Sequence, residues 1–580
     1  MINLRTLISA LCLTLCLGLY ASVPNKAGMN VKGSVMCDGK PVAGVRISDG
    51  HEIVTTDSQG NYWLSSDKRN GWVYVSIPSG YEAPIEHSLP QFWASLNEPI
   101  GVCEEHNFTL KKVNNEKYVL FAVTDMHLAN KFDDVAQFST GFIPSITKAA
   151  SEEGKVPVYS INLGDMSFDI YWYSDRYPIE SYKGTITHVK YPTPLFHVVG
   201  NHDNDGAVPS SDSTDYLAVR RYCKAFGPNY YSFNIGLSHY VVLDDIVYLN
   251  EPGGKKSEKI AGARNYKCKI TSEQLDWLRR DLEGVKDKTA PLFIAMHASL
   301  FSYKGASDTL KLSNFAKDDA DSLLACLTDF SNIHFLTGHR HNCNTVYAGT
   351  SFSTSDGGDF SAASGGGLSP ADLAGLGRRI DKPGTITEHN IGSVCGSWWV
   401  SGDAFGQNLC PDASPAGFCV LHVDGKNVDW QYRSVEDGGG KQFRAYDMNT
   451  VREFYRTSPE AKKFIEHYPH RDFSNIDDNL VYINIWDWAP DWKVSVTENG
   501  KPLKVLHERL EDPLYARSYH FVKTSNGDYP ASYEKSLINH MFMVRASKPN
   551  STIEIKVTDH FGRVYREKMI RPKAFTTDMK

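Results

Sequence analysis

Five short apolar runs in the middle of the chain each lead directly into residues that can bind a metal. Continuous runs of this length, bounded by polar segments, are typical of strands buried on both faces of a sheet. The residues that follow the runs are Asp125 and His127, Asp165, Asn201, His297, and His339 with His341. Because ligands of open α/β sheets bind beyond the carboxyl ends of the strands, we expect these residues to converge on one rim.

The chemistry of these side chains predicts a site for two divalent ions. Imidazole and carboxylate together favour Mn, Fe, Zn or Co over Ca, and Mg stays a candidate. Two ions need roughly seven or eight protein ligands, with one ligand shared. The seven residues meet that number if Asp165 bridges the ions. In Asp-x-His and His-x-His, alternate side chains of an extended segment point to the same side, which predicts that both can enter one site.

Each cluster taken alone has a simpler interpretation. An isolated Asp-x-His pair arises by chance on protein surfaces, and His297 alone is typical of a hydrogen-bonded core histidine. The Asn and Asp of Gly200-Asn201-His202-Asp203 also favour turns. The order of five clusters, each at the end of an apolar run, favours a metal site over these alternatives.

The chain divides into segments of different pattern. Residues 28–112 and 429–580 have the short alternating runs of all-β domains. Residues 113–428 alternate apolar runs with helical segments such as 272–282, which predicts a layered α/β domain. The Gly/Ser-rich stretch 350–377 is interpreted as a surface loop. Trp486, Trp488 and Trp492 are interpreted as core packing rather than a ligand surface.

The first residues predict export. Arg5, an apolar run over 7–20 and the small residues Ala21 and Ser22 form the pattern of a signal peptide, which we assign to 1–22. The run is shorter than the ~20 residues of a spanning helix, which disfavours a membrane anchor. A lipid anchor on Cys16 is a second alternative, but the residues before it match a lipobox poorly. The sequence therefore predicts a periplasmic or extracellular protein without a transmembrane span.

Charge and cysteine content limit the partners. The chain has 61 Lys and Arg against 68 Asp and Glu, a formal net charge of −7. It has no basic run or stripe, which argues against binding to a nucleic acid duplex. Export permits disulfides, and Cys37 with Cys103 and Cys410 with Cys419 are the candidate pairs. We expect a monomer or a weak oligomer.

The ordered motifs resemble those of the calcineurin-like metallophosphoesterases. They read Asp125-x-His127, Gly164-Asp165, Gly200-Asn201-His202-Asp203, His297 and Gly338-His339-x-His341. The resemblance implies an αββα sandwich. It implies that one ion is held by Asp125, His127, Asp165 and His341, and the other by Asp165, Asn201, His297 and His339. It also implies that His202 is a catalytic residue that contacts the phosphate without binding a metal.

Two further features extend the resemblance. The pattern of residues 31–62 is similar to transthyretin-like or carboxypeptidase-regulatory sandwiches. Together with residues 392–399 and the C-terminal β-rich segment, it resembles a three-part subgroup of secreted bacterial phosphoesterases. The chain departs from the family at Phe168, where the family often has Asp; Asp169 comes one residue later, so its role is open. It departs again at 411–415, where the subgroup tends to have Asp-Gly-Thr-Pro.

The predicted function is hydrolysis of a phosphate ester, preferably a phosphodiester, by metal-bound hydroxide. One alternative is a phosphomonoesterase or nucleotidase, and another is a secreted protein that binds carbohydrate or a surface without catalysis. The expected partner is a small phosphate ester or a phosphate linked to a glycan or lipid. Tyr171, Trp172 and Tyr173 are the candidate substrate-binding residues, because they follow the second motif directly. Trp398 and Trp399 are further candidates for the same aromatic wall.

Overall fold

The structure, a computed structural model, covers most of the chain. It describes residues 22–254, 258–303, 306, 310–348, 352–354, 378–380, 386–400, 408–527 and 537–579. The predicted signal peptide, apart from Ser22, lies outside the described residues, and so does the Gly/Ser-rich stretch 350–377 apart from 352–354.

The middle domain is built on two sheets. The five strands of the first follow the order Leu195–His197, Val158–Asn162, Lys117–Val123, Gly417–Asp424 and Asn427–Ser434. The six strands of the second follow the order Tyr231–Ile235, Ser238–Val242, Leu292–Ala298, Ile333–Gly338, Ile386–Asn390 and Asn344–Ala348. The predicted strands are therefore confirmed, with ends that shift by a few residues.

The alternation of side chains along one strand shows how the layers stack. In Lys117–Val123, Leu120 and Ala122 belong to the core between the two sheets. Val119 and Phe121 belong to a second core on the opposite face of the first sheet. Tyr118 and Tyr240 join the sheets directly, with hydroxyl oxygens 2.6 Å apart. Because successive side chains of a strand point to opposite faces, both faces of this strand are buried.

Helices cover the outer faces of both sheets. Residues of Ile143–Glu152 and Ile179–His188 pack in the core outside the first sheet. Ser272–Glu283 and Lys317–Ala325 contribute leucines to the core of the second sheet. Ser272–Glu283 confirms the helix predicted at 272–282; the side chain of Thr271 caps it by accepting a hydrogen bond from the Gln274 amide. The arrangement is the αββα sandwich that the resemblance implies.

The N-terminal segment forms two small sheets packed against the middle domain. The first contains Glu104–Glu105, Val31–Cys37, Phe108–Lys112 and Tyr81–Glu82, with Lys40–Pro41 and Asn61–Leu64 also paired to Val31–Cys37. The second contains Trp93–Ser95, Trp72–Ser76, Arg46–Ser48 and Ile53–Thr55. Trp72 meets Tyr230 of the middle domain edge-on, at 5.5 Å between ring centroids.

The C-terminal segment is β-rich as predicted but not all-β, because it contains several helices besides two four-stranded sheets. One sheet contains Phe443–Asp447, Leu480–Ile485, Ile538–Arg545 and Leu506–Leu510, and the other Lys501–Pro502, Lys493–Glu498, Ile553–Thr558 and Val564–Met569. The helices include Met448–Thr457, Pro459–His467 and Phe521–Ser525. Trp486 and Trp488 are buried, which confirms their interpretation as core residues. The exact domain boundaries stay predictions.

Two further properties concern the described residues alone. The nine cysteines among them are free thiols, so neither candidate disulfide pair is bonded in the structure. None of the helices in the described part of the chain has the length and apolar character needed to cross a membrane.

Candidate metal centre

The seven predicted ligands meet where the two sheets place their carboxyl ends side by side. The first sheet supplies Asp125, His127, Asp165 and Asn201 from the loops after three strands. The second supplies His297 from within Leu292–Ala298, and His339 and His341 from the loop after Ile333–Gly338. The convergence on one rim, expected from the sequence, is what the structure shows.

The ligand atoms form two groups that share one carboxylate. In the first group, His341 Nε2 lies 3.0 Å from His127 Nε2 and 3.1 Å from Asp125 Oδ1. In the second, Asn201 Oδ1 lies 3.0 Å from His297 Nε2 and 2.9 Å from His339 Nδ1. Asp165 Oδ2 belongs to both, at 3.5 Å from His127 Nε2 and 3.2 Å from His297 Nε2. The metal-ligand roles of these residues stay predictions.

The hydrogen bonds around the histidines fit bound cations. His341 Nδ1 donates to the Gly396 carbonyl at 2.9 Å, and His297 Nδ1 donates to the Leu163 carbonyl at 2.7 Å. A histidine that donates from one nitrogen to a carbonyl presents the other as a lone pair to a metal. Asp125 Oδ1 is buried without a hydrogen-bond partner. Asp125 Oδ1 and His341 Nε2 thus face each other at 3.1 Å, and, despite burial, Asp125 and Cys395 raise the pKa of His341 well above its usual range, so the position favours positive charge, a proton or a metal ion.

The pKa shifts of the clustered side chains also indicate that the site stabilises positive charge. Burial lowers the pKa of His297, but Asp165, Asp125 and Asp245 more than offset this and raise it to about 10. Burial would raise the pKa of Asp125, yet His341, His127 and His297 hold it well below its usual range. Burial lowers the pKa of His127 to about 4. Metal ions replace protons at such ligands, so the donor set fits two divalent ions.

The loops that carry the ligands are not extended. Asp125, His127, Asp165, His339 and His341 all have left-handed backbones, with φ between 45° and 68°. The prediction that Asp-x-His and His-x-His are extended is therefore wrong. The side chains of each pair share one pocket through two left-handed turns instead. Such conformations cost energy in residues other than glycine and cluster at functional sites.

The glycines of the motifs permit close approach between these loops. A Cβ on Gly200 would lie 2.3 Å from both the backbone nitrogen and Oδ1 of Asp165. A Cβ on Gly338 would lie 1.9 Å from Thr124 Oγ1 and 2.6 Å from Asp125 Oδ2. Atoms of Asp165 fill the space beside Gly200, and atoms of Thr124 and Asp125 fill the space beside Gly338. A larger residue would not fit at either position, which is why both suit glycine.

His202 lies beside the two groups of ligand atoms. Its side chain is more exposed to solvent than those of its neighbours Asn201 and Asp203. Its side chain is 23% exposed, and its backbone N–H donates to Asp165 Oδ1 at 2.8 Å. Its Nδ1 lies 2.7 Å from Asp169 Oδ1. Arg264 donates to the same carboxylate oxygen at 2.6 Å. Asp169, whose role was open from the sequence, thus orients His202 although it comes one residue later than in the family pattern.

Several residues of the site were missed in the sequence. Asp203 accepts from the backbone N–H of Gly200 and Met166 and so ties two ligand loops together. Asp245 accepts from the N–H of His297 and Ala298. Asp203 follows the Asn-His pair of a recognised motif, which is a usable signal. Asp245 and Arg264 stand in no motif that we identified, so only the structure reveals them.

The candidate substrate-binding residues lie in different surroundings. Tyr171 lines a cavity beside His127. Trp172 is buried, and its Nε1 donates to Ser167 Oγ at 2.9 Å. The Tyr173 hydroxyl donates to Asp205 at 2.7 Å. Trp398 lines the same cavity as Tyr171. Trp399 also borders this cavity, but it is buried and its Nε1 donates to the Met126 carbonyl. Arg340, between two predicted ligands, donates to Ser313 Oγ.

Comparison with known proteins identifies three consecutive family matches. The N-terminal part of calcineurin-like phosphoesterases matches residues 29–113, the calcineurin-like phosphoesterase domain matches 119–343, and the C-terminal part matches 388–565. No curated protein sequence matches the chain.

Solved structures with a similar fold have low sequence identity. The structure of PhoD is 11% identical and covers 76% of this chain and 83% of its own, with a TM-score of 0.34. A dimetal phosphatase from Danio rerio is 11% identical and covers 55% and 99%, with a TM-score of 0.31. Purple acid phosphatase PPD1 from yellow lupin (Lupinus luteus) is 12% identical and covers 68% and 72%, with a TM-score of 0.32. The family of the chain is therefore assigned from the three family matches and not from these structures.

Proposed function

Because the chain belongs to the calcineurin-like phosphoesterases and is a metal-dependent hydrolase of phosphate esters, we propose that it is an exported phosphodiesterase with a dinuclear centre. The observation that supports the two-ion centre is the sharing of Asp165 Oδ2 between the group around His127 and the group around His297. The ions expected there are two of Mn, Fe, Zn, Co or Mg.

Hydrolysis of a diester adds water across one P–O bond and releases an alcohol and a phosphate monoester. Two divalent ions bound at these residues would supply an activated water near neutral pH and would neutralise phosphoryl charge. Asp125, His127 and His341 would hold one ion, Asn201, His297 and His339 the other, and Asp165 both. This division follows the two groups of ligand atoms described above.

His202 is the residue proposed to act on the substrate directly. Its Nδ1 is engaged by Asp169, so Nε2 is the nitrogen left for the substrate. A proton on Nε2 can be donated to a phosphoryl oxygen or to the oxygen that leaves. The carboxylate of Asp169, 2.7 Å from Nδ1, holds the ring in the orientation that leaves Nε2 for the substrate.

The preference for a diester is inferred from the neighbours of the predicted ligands. The ring of Phe168 lies 5.1 Å from that of His127, and the ring of Trp398 lies 5.2 Å from that of His341. Apolar rings next to the phosphate position suit an organic substituent better than the additional charge of a monoester.

A comparison of two chromogenic substrates tests the preference. We expect kcat/KM to be higher for bis(p-nitrophenyl) phosphate than for p-nitrophenyl phosphate in protein loaded with Mn²⁺ or Zn²⁺. The reverse order would favour the phosphomonoesterase alternative. Absence of turnover of both substrates with Mn, Fe, Zn, Co and Mg, despite bound metal, would favour the non-catalytic binding protein. Asp165→Asn serves as the inactive control.

Export is proposed from the sequence pattern of residues 1–22. Mass spectrometry of the protein recovered from cells tests it through the mature N-terminus. Cleavage next to Ser22 is expected, whereas a lipid-modified Cys16 at the N-terminus would replace this proposal with a lipoprotein.

A further inference from the structure

A cavity of about 170 Å³ opens beside the metal centre on the side of His127. Four separate parts of the chain form its walls, including the C-terminal segment. The side chains that matter for the argument are Lys131, Phe168, Tyr171, Trp398, Tyr519 and Lys523. A cavity of roughly 150 Å³ is known to hold one benzene molecule, so this one suits a single ring.

The inner part of the cavity is aromatic. Phe168 packs edge-on against His202, at 4.5 Å between centroids, and against Tyr171 at 5.2 Å. On the other wall, Trp398 packs against His341 at 5.2 Å and against Tyr519 at 6.4 Å. Two walls of rings therefore extend outward from the predicted metal ligands. A flat or apolar group between them gains stacking and burial.

The outer part of the cavity is cationic. Lys131 Nζ lies 4.5 Å from the ring centroid of Tyr171. Lys523 Nζ lies 6.0 Å from the centroid of Tyr519 and 5.6 Å from that of Phe132. On one wall, the rings of Tyr171 and Phe168 lie between the Lys131 ammonium and His127. On the other wall, the rings of Tyr519 and Trp398 lie between the Lys523 ammonium and His341. Lys131 also pairs with Asp175 at 3.1 Å, and both lysines are half-buried.

The backbone of both walls is strained. Phe132 and Asp133 have φ of 54° and 51°, and Trp398 and Trp399 have φ of 55° and 64°. Left-handed conformations of such bulky residues are uncommon, and they concentrate where a ligand is held. Phe132, one of the residues that line the cavity, is 51% exposed.

We propose that this cavity binds the organic group of the substrate, and that this group is a single ring with a second anionic group at its far end. The phosphate ester would lie at the metal centre, the ring between Phe168 and Trp398, and the second anion between Lys131 and Lys523. Lys523 thereby gives the C-terminal segment a role in substrate selection. The proposal rests on the proposed function, because it requires a phosphate at the metal centre.

Two phosphonates that cannot be hydrolysed test the proposal by binding alone. Phenylphosphonate has the phosphate-like group and the ring, and 4-carboxyphenylphosphonate adds a carboxylate at the far end. In calorimetry with full-length protein loaded with Mn²⁺ or Zn²⁺, we expect the second to bind about tenfold more tightly, since ammonium–carboxylate pairing stabilises it. The double variant Lys131→Met/Lys523→Met should bind both with equal affinity.

Lys462→Met is the matched control, because Lys462 is an exposed lysine on Pro459–His467 in the same C-terminal segment. This variant should keep the tenfold preference, and unfolding temperatures and metal content should match between variants. The proposal is overturned if the wild type binds both phosphonates equally, if neither binds, or if the double variant keeps the preference. Turnover of bis(p-nitrophenyl) phosphate is measured separately: its absence alongside a retained carboxylate preference would contradict the proposed function and not the assignment of the cavity.

Discussion

Asp169 Oδ1 lies 2.7 Å from His202 Nδ1 and accepts a second hydrogen bond from Arg264 at 2.6 Å. The carboxylate is 1% exposed, so its position is fixed by these two partners. His202 is thereby held in one orientation at the edge of the two metal-ligand groups. The contact with Asp169 gives the His202 ring a fixed orientation, which a histidine in a turn does not have without such a partner.

Replacing His202 should affect turnover more than metal binding. In His202→Ala we expect kcat for bis(p-nitrophenyl) phosphate to fall about 10²–10⁴-fold, the range for loss of a general acid. Metal content, measured by mass spectrometry of the elements, should stay near that of the wild type, because no ligand is removed. Wild-type turnover in this variant would exclude His202 from the mechanism.

Replacing Asp169 should have a smaller effect of the same kind. Asp169→Asn keeps the shape of the side chain but removes the carboxylate that accepts from Nδ1 and orients His202. We expect kcat to fall by about tenfold with little change in KM or metal content. In the double variant His202→Ala/Asp169→Asn, the second substitution should add nothing to the first. Additive losses would show that Asp169 acts independently of His202.

The shared position of Asp165 predicts different metal contents for different ligand variants. His127→Ala and His297→Ala each remove a ligand from one group, so each should retain about one ion per chain. Asp165→Asn weakens both groups and should retain less than either. Because metal binds only the folded state, chelation should also lower the unfolding temperature of the wild type. Equal loss of metal in all three variants would contradict the division into two groups.

The sequence predicted the buried strands of the middle domain and the seven residues at their ends, because buried strands have a simple apolar pattern and ligands follow them directly. It did not predict how Asp125 and His127 reach one pocket, since left-handed φ values cannot be inferred from Asp-x-His. Arg264 and Asp245 were also missed, because each contributes through a contact distant in sequence. The cavity needed Lys523 from the C-terminal segment, which no local pattern connects with His127.

Gly200 should not tolerate a side chain. Its Cβ in Gly200→Ala would lie 2.3 Å from the backbone nitrogen of Asp165, and backbone atoms cannot move aside cheaply. We expect the loop of Asn201 to shift, with loss of metal and of activity. Gly184→Ala is the control, since a Cβ there has no atom within 4 Å. Normal metal content in Gly200→Ala would mean that the two loops separate without disturbing their ligands.

Asp487 predicts a dependence of stability on pH that is unrelated to the metal centre. Burial, together with Asp559, raises its pKa to about 7, although Thr345 donates to its Oδ1 at 2.8 Å. In the unfolded chain the same carboxyl has a pKa near 4, so the folded protein keeps a proton that the unfolded chain loses. The stability that this carboxyl contributes is therefore complete below pH ~4. It decreases as the pH rises from there and is lost once the pH has passed about 7.

Asp487→Asn should remove that dependence, because asparagine keeps the side-chain oxygen and has no charge to bury. At pH 5 we expect the variant and the wild type to have similar unfolding temperatures. At pH 8 the variant should be the more stable, by a difference in the free energy of unfolding of roughly 2–3 kcal/mol. Asp212→Asn, at an exposed position, should follow the wild type at both pH values. A constant difference between Asp487→Asn and the wild type from pH 5 to 8 would show that Asp487 is already ionised in the folded protein.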